Sequence, residues 1–289
     1  MTFNEKQKIL SENIREFAKK QALASKQMEL TALEISKLYC ESLTNINDIF
    51  EALEKFNKEF SPTDEIAFLS ELCHSEYSSK IKDILFIGST EPTSAGAHSK
   101  ISYLKNRYND IAFEHFSNLI SNAKPDYASN FAESCENVFD GRCEYCILPI
   151  MNSNDGRLMS FYSLIDRYEL KICATVSIDA EGTSSTVKHA LLSRACQEQS
   201  GRTQKNKNYI FEFSIIDENT DFCASLFEAA NYIGAKLTCI DSIPMEYAPH
   251  TQKFFFSFCV PHNNAFAFRA FVALKHQAYT PTGFYKETE

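Results

Sequence analysis

The sequence predicts a mixed α/β plus α+β protein in three parts: an N-terminal helical region, a single parallel-sheet α/β lobe and a C-terminal ferredoxin-like domain. Three observations predict this architecture. Apolar residues recur at helical spacing in the first 81 residues, and beyond them short apolar runs alternate with amphipathic stretches. From residue 208 onward the elements follow a β-α-β-β-α-β order. The predicted boundaries are 1–81, 82–194 and 208–289.

Composition narrows the classes of function. With 289 residues and 44% hydrophobic content, the chain can bury a full core and form more than one domain. A net charge of −9 with scattered basic residues argues against nucleic acid or an anionic membrane as a partner. No apolar stretch approaches 18 residues, and the first ten residues have too little apolar length for a signal peptide. We therefore expect a cytoplasmic protein.

The spacing of apolar residues in the N-terminal region predicts helices with apolar packing faces. Ser61-Pro62-Thr63-Asp64 predicts a helix start, with a capping hydroxyl, a proline in the first position and an acid in the third. The apolar stripes run through Ile9, Leu10, Ile14 and Phe17, through Leu30, Leu33, Ile35 and Leu38, and through Ile46, Ile49, Phe50, Leu53 and Phe56.

The predicted α/β lobe begins at Lys82, where the residue pattern changes from helical apolar stripes to short apolar runs. Ile84–Gly88 is a short apolar run that predicts a strand, followed by a polar loop and a helix around residues 98–108. Residues 130–139 predict a second helix, and Tyr145–Ile150 predicts a buried strand. Alternating strands and helices favour a parallel sheet.

The strand at Tyr145–Ile150 runs into a polar turn, Asn152-Ser153-Asn154-Asp155-Gly156, and then into an amphipathic helix. Free N–H groups and short polar side chains converge where such a strand ends at the mouth of a helix, so this edge is a candidate ligand site. A polar helix cap is the structural alternative for Asn152 and Ser153.

The C-terminal part predicts six elements in the ferredoxin-like order. They are a strand (209–216), a helix (221–233), two strands (236–243 and 253–260), a helix (264–277) and a strand (278–285).

The stretch around the polar turn resembles the hallmark of the prephenate dehydratase family, Gly-x-x-Asp-Tyr-Gly-Val-x-Pro-Ile-Glu-Asn-Ser. Met151 stands where the family has Glu, and the residues that match in register are Gly141, Glu144, Tyr145, Leu148, Pro149, Ile150, Asn152 and Ser153. The resemblance implies a lyase of phenylalanine biosynthesis that converts prephenate to phenylpyruvate. It also implies substrate-binding roles for Thr93, Ser94, Asn152 and Ser153, and no cofactor.

The family's catalytic Thr-Arg-Phe motif falls on Val187-Lys188-His189, with Thr186 one place early. By resemblance, Thr186 and Lys188 are the candidate catalytic residues. Lys188 would offer a point charge in place of a bidentate guanidinium. The family's second lobe would lie between the strand at 170–178 and this strand, where the chain has only seven polar residues, 179–185.

Residues 208–289 resemble the ACT domain that follows the dehydratase domain in this family. Leu237-Thr238-Cys239-Ile240-Asp241-Ser242-Ile243-Pro244 matches Leu-Thr-x-Ile-Glu-Ser-Arg-Pro, which implies effector-binding roles for Asp241, Ser242 and Pro244. It also implies a small carboxylate or aromatic amino acid as ligand, and a homodimer formed through the ACT edge strand and helix face.

Two functions remain open from the sequence. One is a prephenate dehydratase of the aromatic amino acid pathway. The other is a non-catalytic descendant, a pseudoenzyme, that binds a small carboxylate or a protein partner; the missing lobe favours this second function.

Other motifs have simpler structural interpretations. Arg15, Lys19 and Lys20 fit a solvated helix face better than a chorismate mutase site. Cys143 and Cys146 have CxxC spacing but lack the second ligand pair of a zinc site, so we interpret them as core residues and expect no metal. His98 and His189 are interpreted as structural histidines.

Overall fold

The protein is described here by a computed structural model. The described residues are 3–42, 51, 54–55, 61–75, 99–120, 122–179, 185–194, 208–218, 220, 222–245, 248–276 and 279–286. They form two compact units: one contains residues 1–85, 223–233 and 266–275, and the other contains residues 86–222, 234–265 and 276–289.

The described residues of the first unit are mostly helical. Its helices are α1 (Phe3–Ser42), α2 (Pro62–His74), α6 (Phe222–Tyr232, within this unit from Cys223) and α7 (Ala265–Lys275, within this unit from Phe266). The predicted helix start is confirmed: the Ser61 side chain accepts from the Asp64 N–H, and Asp64 bonds back to the Ser61 N–H as a capping box. The apolar stripe at 46–56 lies largely outside the described residues.

Helix α2 contacts α6 and α7 through polar side chains. Thr63 Oγ1 donates to Glu228 Oε1 on α6 at 2.8 Å, and Lys275 Nζ on α7 lies 2.6 Å from Glu65 Oε1. Burial raises the pKa of Glu65, while Lys275 acts in the opposite direction. The N-terminal region therefore covers part of the surface of the two C-terminal helices.

The second unit is built around one sheet of ten strands, ordered β2-β1-β3-β6-β5-β10-β7-β9-β8, with β4 paired to β3. The strands are β1 (Lys100–Leu104), β2 (Lys124–Ala128), β3 (Tyr145–Asn152), β4 (Gly156–Arg157), β5 (Lys171–Asp179), β6 (Thr186–Ser193), β7 (Tyr209–Asp217), β8 (Lys236–Met245), β9 (Ala248–Val260) and β10 (Tyr279–Lys286). The helices α3 (Arg107–Ser117), α4 (Phe131–Phe139) and α5 (Met159–Arg167) belong to the same unit.

Strands β1, β2 and β3 are parallel, as predicted for this part of the lobe, whereas β6 runs antiparallel to both β3 and β5. The lobe sheet is therefore mixed. In the β5–β6 pair, Asp179 lies opposite Thr186, so only residues 180–185 connect the two strands.

Apolar side chains cover the two faces of this sheet. On one face, residues of α4 and α5, among them Cys135 and Tyr162, pack with Leu148, Ala190 and Leu192 of the strands. On the other, Ala112 and Phe116 of α3 pack with neighbouring strand residues, including Leu191. The alternation along β6 follows from the two-residue period of a strand.

The C-terminal strands continue this sheet directly. β10, β7, β9 and β8 are successive antiparallel neighbours, and β10 joins β5 in parallel at Gly283 and Ile172. The predicted β-α-β-β-α-β order is present. Phe255 of β9 and Tyr285 of β10 belong to the same apolar cluster as the lobe residues.

Candidate functional site

The polar turn after β3 closes a short hairpin. The Asn154 N–H donates to Asn152 Oδ1 at 3.0 Å, and Asn152 Nδ2 donates to Asp155 Oδ2 at 3.0 Å. Gly156 then takes a left-handed conformation with φ of 76°, and β4 pairs back on β3. The turn is thus held by its own side chains, in an Asx-type arrangement.

The helix-cap interpretation of this turn is wrong. Helix α5 begins only at Met159, and its N-cap residue, Leu158, makes no side-chain capping bond. Asn152 and Ser153 therefore do not cap α5, and β4 lies between them and the helix in the chain; their ligand-binding roles stay predictions.

Two of the predicted site segments do come together. The Ser153 N–H donates to the Thr186 carbonyl at 2.9 Å, and the Thr186 N–H donates to Ser153 Oγ at 2.9 Å. Thr186 Oγ1 donates to Asp179 Oδ1 at 3.0 Å. The hydroxyl proposed for catalysis is therefore engaged by a carboxylate of the neighbouring strand.

Lys188 supplies a cation beside this turn. It lies opposite Met151 on β3 and Ser177 on β5, and its side chain is partly exposed. Among the described residues it has no ion-pair partner.

His189 faces the other side of the sheet. It is buried, burial lowers its pKa to about 4, and its Nδ1 has no hydrogen-bond partner within the described part of the chain. A neutral, enclosed imidazole cannot exchange protons with a substrate at the turn. The burial of His189 therefore supports a structural role for this residue.

The sequence-based prediction missed the segment that follows β1, residues 105–106. The predicted helix at 98–108 is wrong, because Lys100–Leu104 form a strand and α3 begins at Arg107. Asn106 caps α3 by accepting from the Asn109 N–H at 2.9 Å, and Asn109 Nδ2 donates to the Leu104 carbonyl at 2.7 Å. Residues 105–106 thus lie at the carboxyl end of β1, on the same edge as the end of β3. The cap at Asn106 ahead of an apolar stripe was the available signal.

Thr93 and Ser94, and the strand predicted at 84–88, lie outside the described residues. His98 does as well. Their proposed roles stay predictions.

A buried polar cluster, centred on Arg157 of β4, was not predicted. Arg157 Nη1 donates to Asp241 Oδ2 of β8 at 3.0 Å and to the Phe255 carbonyl of β9 at 3.1 Å. Its Nη2 lies 3.7 Å from Glu212 Oε2 of β7, and its guanidinium stands over the Tyr162 ring. Burial disfavours the charged form of Arg157, but the surrounding groups raise its pKa overall.

Glu212 is the second centre of this cluster. Tyr162 donates to its Oε2 and Tyr285 donates to its Oε1, each at 2.6 Å. Burial and the Glu212 charge raise the pKa of both phenols well above the usual value. The buried carboxylate is therefore balanced by one guanidinium and two hydroxyl donors.

Of the predicted effector-binding residues, Asp241 is engaged by Arg157, while Ser242 and Pro244 are exposed on β8. These three residues lie on an edge strand that, in the described structure, pairs only with β9.

Cys143 and Cys146 are both buried with free thiols. Burial raises the pKa of Cys143 to about 12 and that of Cys146 well above its usual value. Protonated, enclosed thiols behave as small apolar groups, which supports the interpretation of these residues as core filler.

Within the described residues, no helix combines the length and apolar character needed to span a bilayer.

Comparison with known proteins gives matches at the level of structure. Neither a family model nor a curated protein sequence matches the chain. Prephenate dehydratase from Streptococcus mutans aligns with a TM-score of 0.52 and 18% identity, over 65% of this chain and 98% of that one. The chain has a prephenate dehydratase-like fold.

Two further structures align over the same share of the chain. Prephenate dehydratase from Arthrobacter aurescens in complex with L-Phe aligns with a TM-score of 0.51 and 11% identity, over 65% of this chain and 90% of that one. GqqA, described as a novel type of quorum quenching acylase, aligns with a TM-score of 0.50 and 16% identity, over 65% of this chain and 95% of that one. At sequence identities of 11% to 18%, the similarity to these structures shows a shared fold only.

Proposed function

We propose that this protein is a non-catalytic relative of the prephenate dehydratases that binds a small carboxylate at the polar turn between β3 and β4, beside the start of β6. The observation that carries the proposal is the pairing of Asp179 with Thr186, which leaves only residues 180–185 where the family has a second lobe. A dehydratase needs that lobe to exclude water and to surround a substrate with preorganised groups.

The chemistry of the remaining residues supports loss of turnover. Expelling a hydroxyl together with carbon dioxide requires a positioned proton donor. The Thr186 hydroxyl donates to Asp179 instead, and Lys188 stands where the family's Arg would bind a carboxylate with two parallel bonds.

The same residues support binding. Lys188 has no ion-pair partner among the described residues, and it lies across from Met151, one residue before the polar turn. An ammonium beside amide and hydroxyl groups favours a small anion, and a carboxylate is the anion that the resemblance implies.

The fold alone does not select the reaction. A prephenate dehydratase and an acylase align about equally well with this chain, with TM-scores of 0.52 and 0.50. Function has to be argued from the residues of the site.

We further propose that residues 208–289 are an ACT-like domain and that the chain forms a homodimer through β8. β8 is an edge strand with two exposed apolar side chains, Leu237 and Ile240. Pairing two such edges would satisfy their free backbone groups. The contacts of α2 with Glu228 and Lys275 cover part of the predicted helix face, which favours the strand edge.

The test measures turnover and binding on one preparation. The purified 289-residue chain is incubated with prephenate, and phenylpyruvate formation is followed by absorbance; we expect none above the uncatalysed rate. The same chain is screened by thermal shift with prephenate, phenylpyruvate, phenylalanine and tyrosine, because a ligand of the folded state raises the melting temperature. Turnover typical of the family would contradict the loss of catalysis, and no stabilisation by any carboxylate would contradict the binding site.

A further inference from the structure

Arg157 connects the polar turn to the C-terminal strands within one compact unit. It lies on β4, directly after Gly156, and faces Met151 across the β3–β4 pair. From there its guanidinium reaches Asp241 of β8 and the Phe255 carbonyl of β9. The two-residue strand β4 is therefore held on one side by its pairing with β3 and on the other by the bonds of Arg157 to the C-terminal strands.

The position of β4 decides the conformation of the turn. Asn152 lies opposite Gly156, and the Leu158 N–H donates to the Ile150 carbonyl at 2.9 Å, so these bonds hold the two ends of the turn together. If Arg157 shifts, the β3–β4 pair loses its outer support. Residues 153–155 then lose the geometry that places the Ser153 N–H on Thr186.

Asp241 is the adjustable member of the cluster. The Arg157 side chain is 1% exposed and the Glu212 side chain 5%, whereas the Asp241 side chain is 34% exposed. Glu212 also accepts hydrogen bonds from two phenols, Tyr162 and Tyr285. Asp241 can therefore replace its bond to Arg157 by a bond to water or to a ligand, and this replacement costs less free energy than it would for the more buried Glu212.

We propose that Arg157 is a positioning residue that couples the exposed strand β8 to the polar turn. The Arg157–Asp241 ion pair orders the turn, and any group that draws Asp241 away from Arg157 loosens it. The coupling itself rests on contacts of the folded chain; only the statement that it regulates carboxylate binding rests on the proposed function.

Hydrogen exchange of backbone amides tests the coupling without a ligand. In Asp241→Asn we expect the Ser153 and Leu158 amides to exchange about tenfold faster, because their hydrogen bonds open locally, while amides in the centre of β6 keep their protection. In an Arg157→Met background, Asp241→Asn should add no further acceleration, since the two residues act as a pair.

Asp166→Asn is the matched control. Asp166 of α5 forms an ion pair with Lys253 of β9, so it also links the lobe to the C-terminal strands, but among the described contacts no hydrogen bond or ion pair joins it to β4. We expect it to leave the exchange of Ser153 and Leu158 unchanged. Unchanged exchange in Asp241→Asn, or equal acceleration in Asp166→Asn or throughout the sheet, would overturn the proposal.

Phenylpyruvate affinity of the same variants separates this inference from the proposed function. Faster exchange in Asp241→Asn with no phenylpyruvate binding by the wild type would leave the coupling standing and remove the carboxylate site. Binding by the wild type with no effect of Asp241→Asn on exchange would do the reverse.

Discussion

Gly283 of β10 lies directly against Ile172 of β5, and this contact joins the lobe strands and the C-terminal strands into one sheet. A Cβ atom on Gly283 would stand 2.9 Å from Ile172 Cβ and 3.2 Å from its carbonyl oxygen. Real Cβ atoms do not approach a neighbour so closely. Glycine is therefore required by packing at this position, since its backbone φ is an ordinary one.

We expect Gly283→Ala to lower the free energy of unfolding by about 2 kcal/mol, because a buried methyl group would push the two strands apart. Urea denaturation measures the change. Thr280→Ala, on the same strand but away from β5, is the control and should cost less. Equal stability of Gly283→Ala and the wild type would mean that the strand junction tolerates separation.

Tyr285→Phe should lower the free energy of unfolding by roughly 1–3 kcal/mol, because Glu212 Oε1 would lose a donor inside the core. Denaturant unfolding compares it with Tyr168→Phe. The Tyr168 ring packs against Phe139, and no partner of its hydroxyl is described, so that control keeps its main contact. A loss as large in Tyr168→Phe would contradict the role of the hydrogen bond.

The buried His189 should make stability depend on pH. Its pKa is lowered from 6.5 to about 4, so the unfolded chain binds a proton that the folded chain does not between these values. The stabilisation of the neutral form is complete above pH 6.5 and is lost as the pH falls toward 4, by about 3 kcal/mol for the full shift. His189→Phe should remove this component.

Chemical denaturation at pH 7 and pH 4.5 tests the His189 prediction. The difference between the two pH values should shrink in His189→Phe and stay as in the wild type in His250→Gln, which alters an exposed histidine of β9. The same slope in wild type and His189→Phe would assign the acid sensitivity to other groups.

Lys188→Ala should weaken phenylpyruvate binding about tenfold, because it removes the cation beside the polar turn. Asn152→Ala should also weaken binding, since the Asn152 side chain holds the Asn154 N–H and Asp155 in place. Isothermal titration measures both variants. Lys188→Arg should retain binding, and Lys236→Ala on β8 should have no effect; unchanged affinity in Lys188→Ala and Asn152→Ala would show that the turn is not the site.

Homodimer formation through β8 should be sensitive to charge on that edge. Ile240 is 44% exposed, and Ile240→Lys would place an ammonium where two edge strands meet. Light scattering at micromolar concentration should give a dimer for the wild type and a monomer for the variant. A monomeric wild type, or a dimeric Ile240→Lys, would contradict this interface.

Much of the local structure was predictable because its causes lie within a few residues. The Ser61 capping box, the helix that starts after Asn130 and the β3 strand each depend on neighbouring side chains, and the structure has all three. The C-terminal element order also followed from apolar periodicity.

Strand β1 shows where such reasoning stops. Residues 100–104 mix apolar and polar side chains, and the sequence alone assigned them to a helix. The structure has a strand at Lys100–Leu104 because it pairs with both β2 and β3. A strand is stabilised by its neighbours, so local propensity alone does not identify it.

The sequence by itself predicted most of the helices and the polar turn after β3, because residue spacing is a local property. Only the tertiary structure decided that Ser153 and Thr186 bind each other and that Arg157 reaches Asp241 and Phe255, which lie 84 and 98 residues further along the chain. Bonds over such separations form only after strands from distant parts of the chain share one sheet. The residues next to Arg157 in the sequence do not indicate which carboxylate will pair with it.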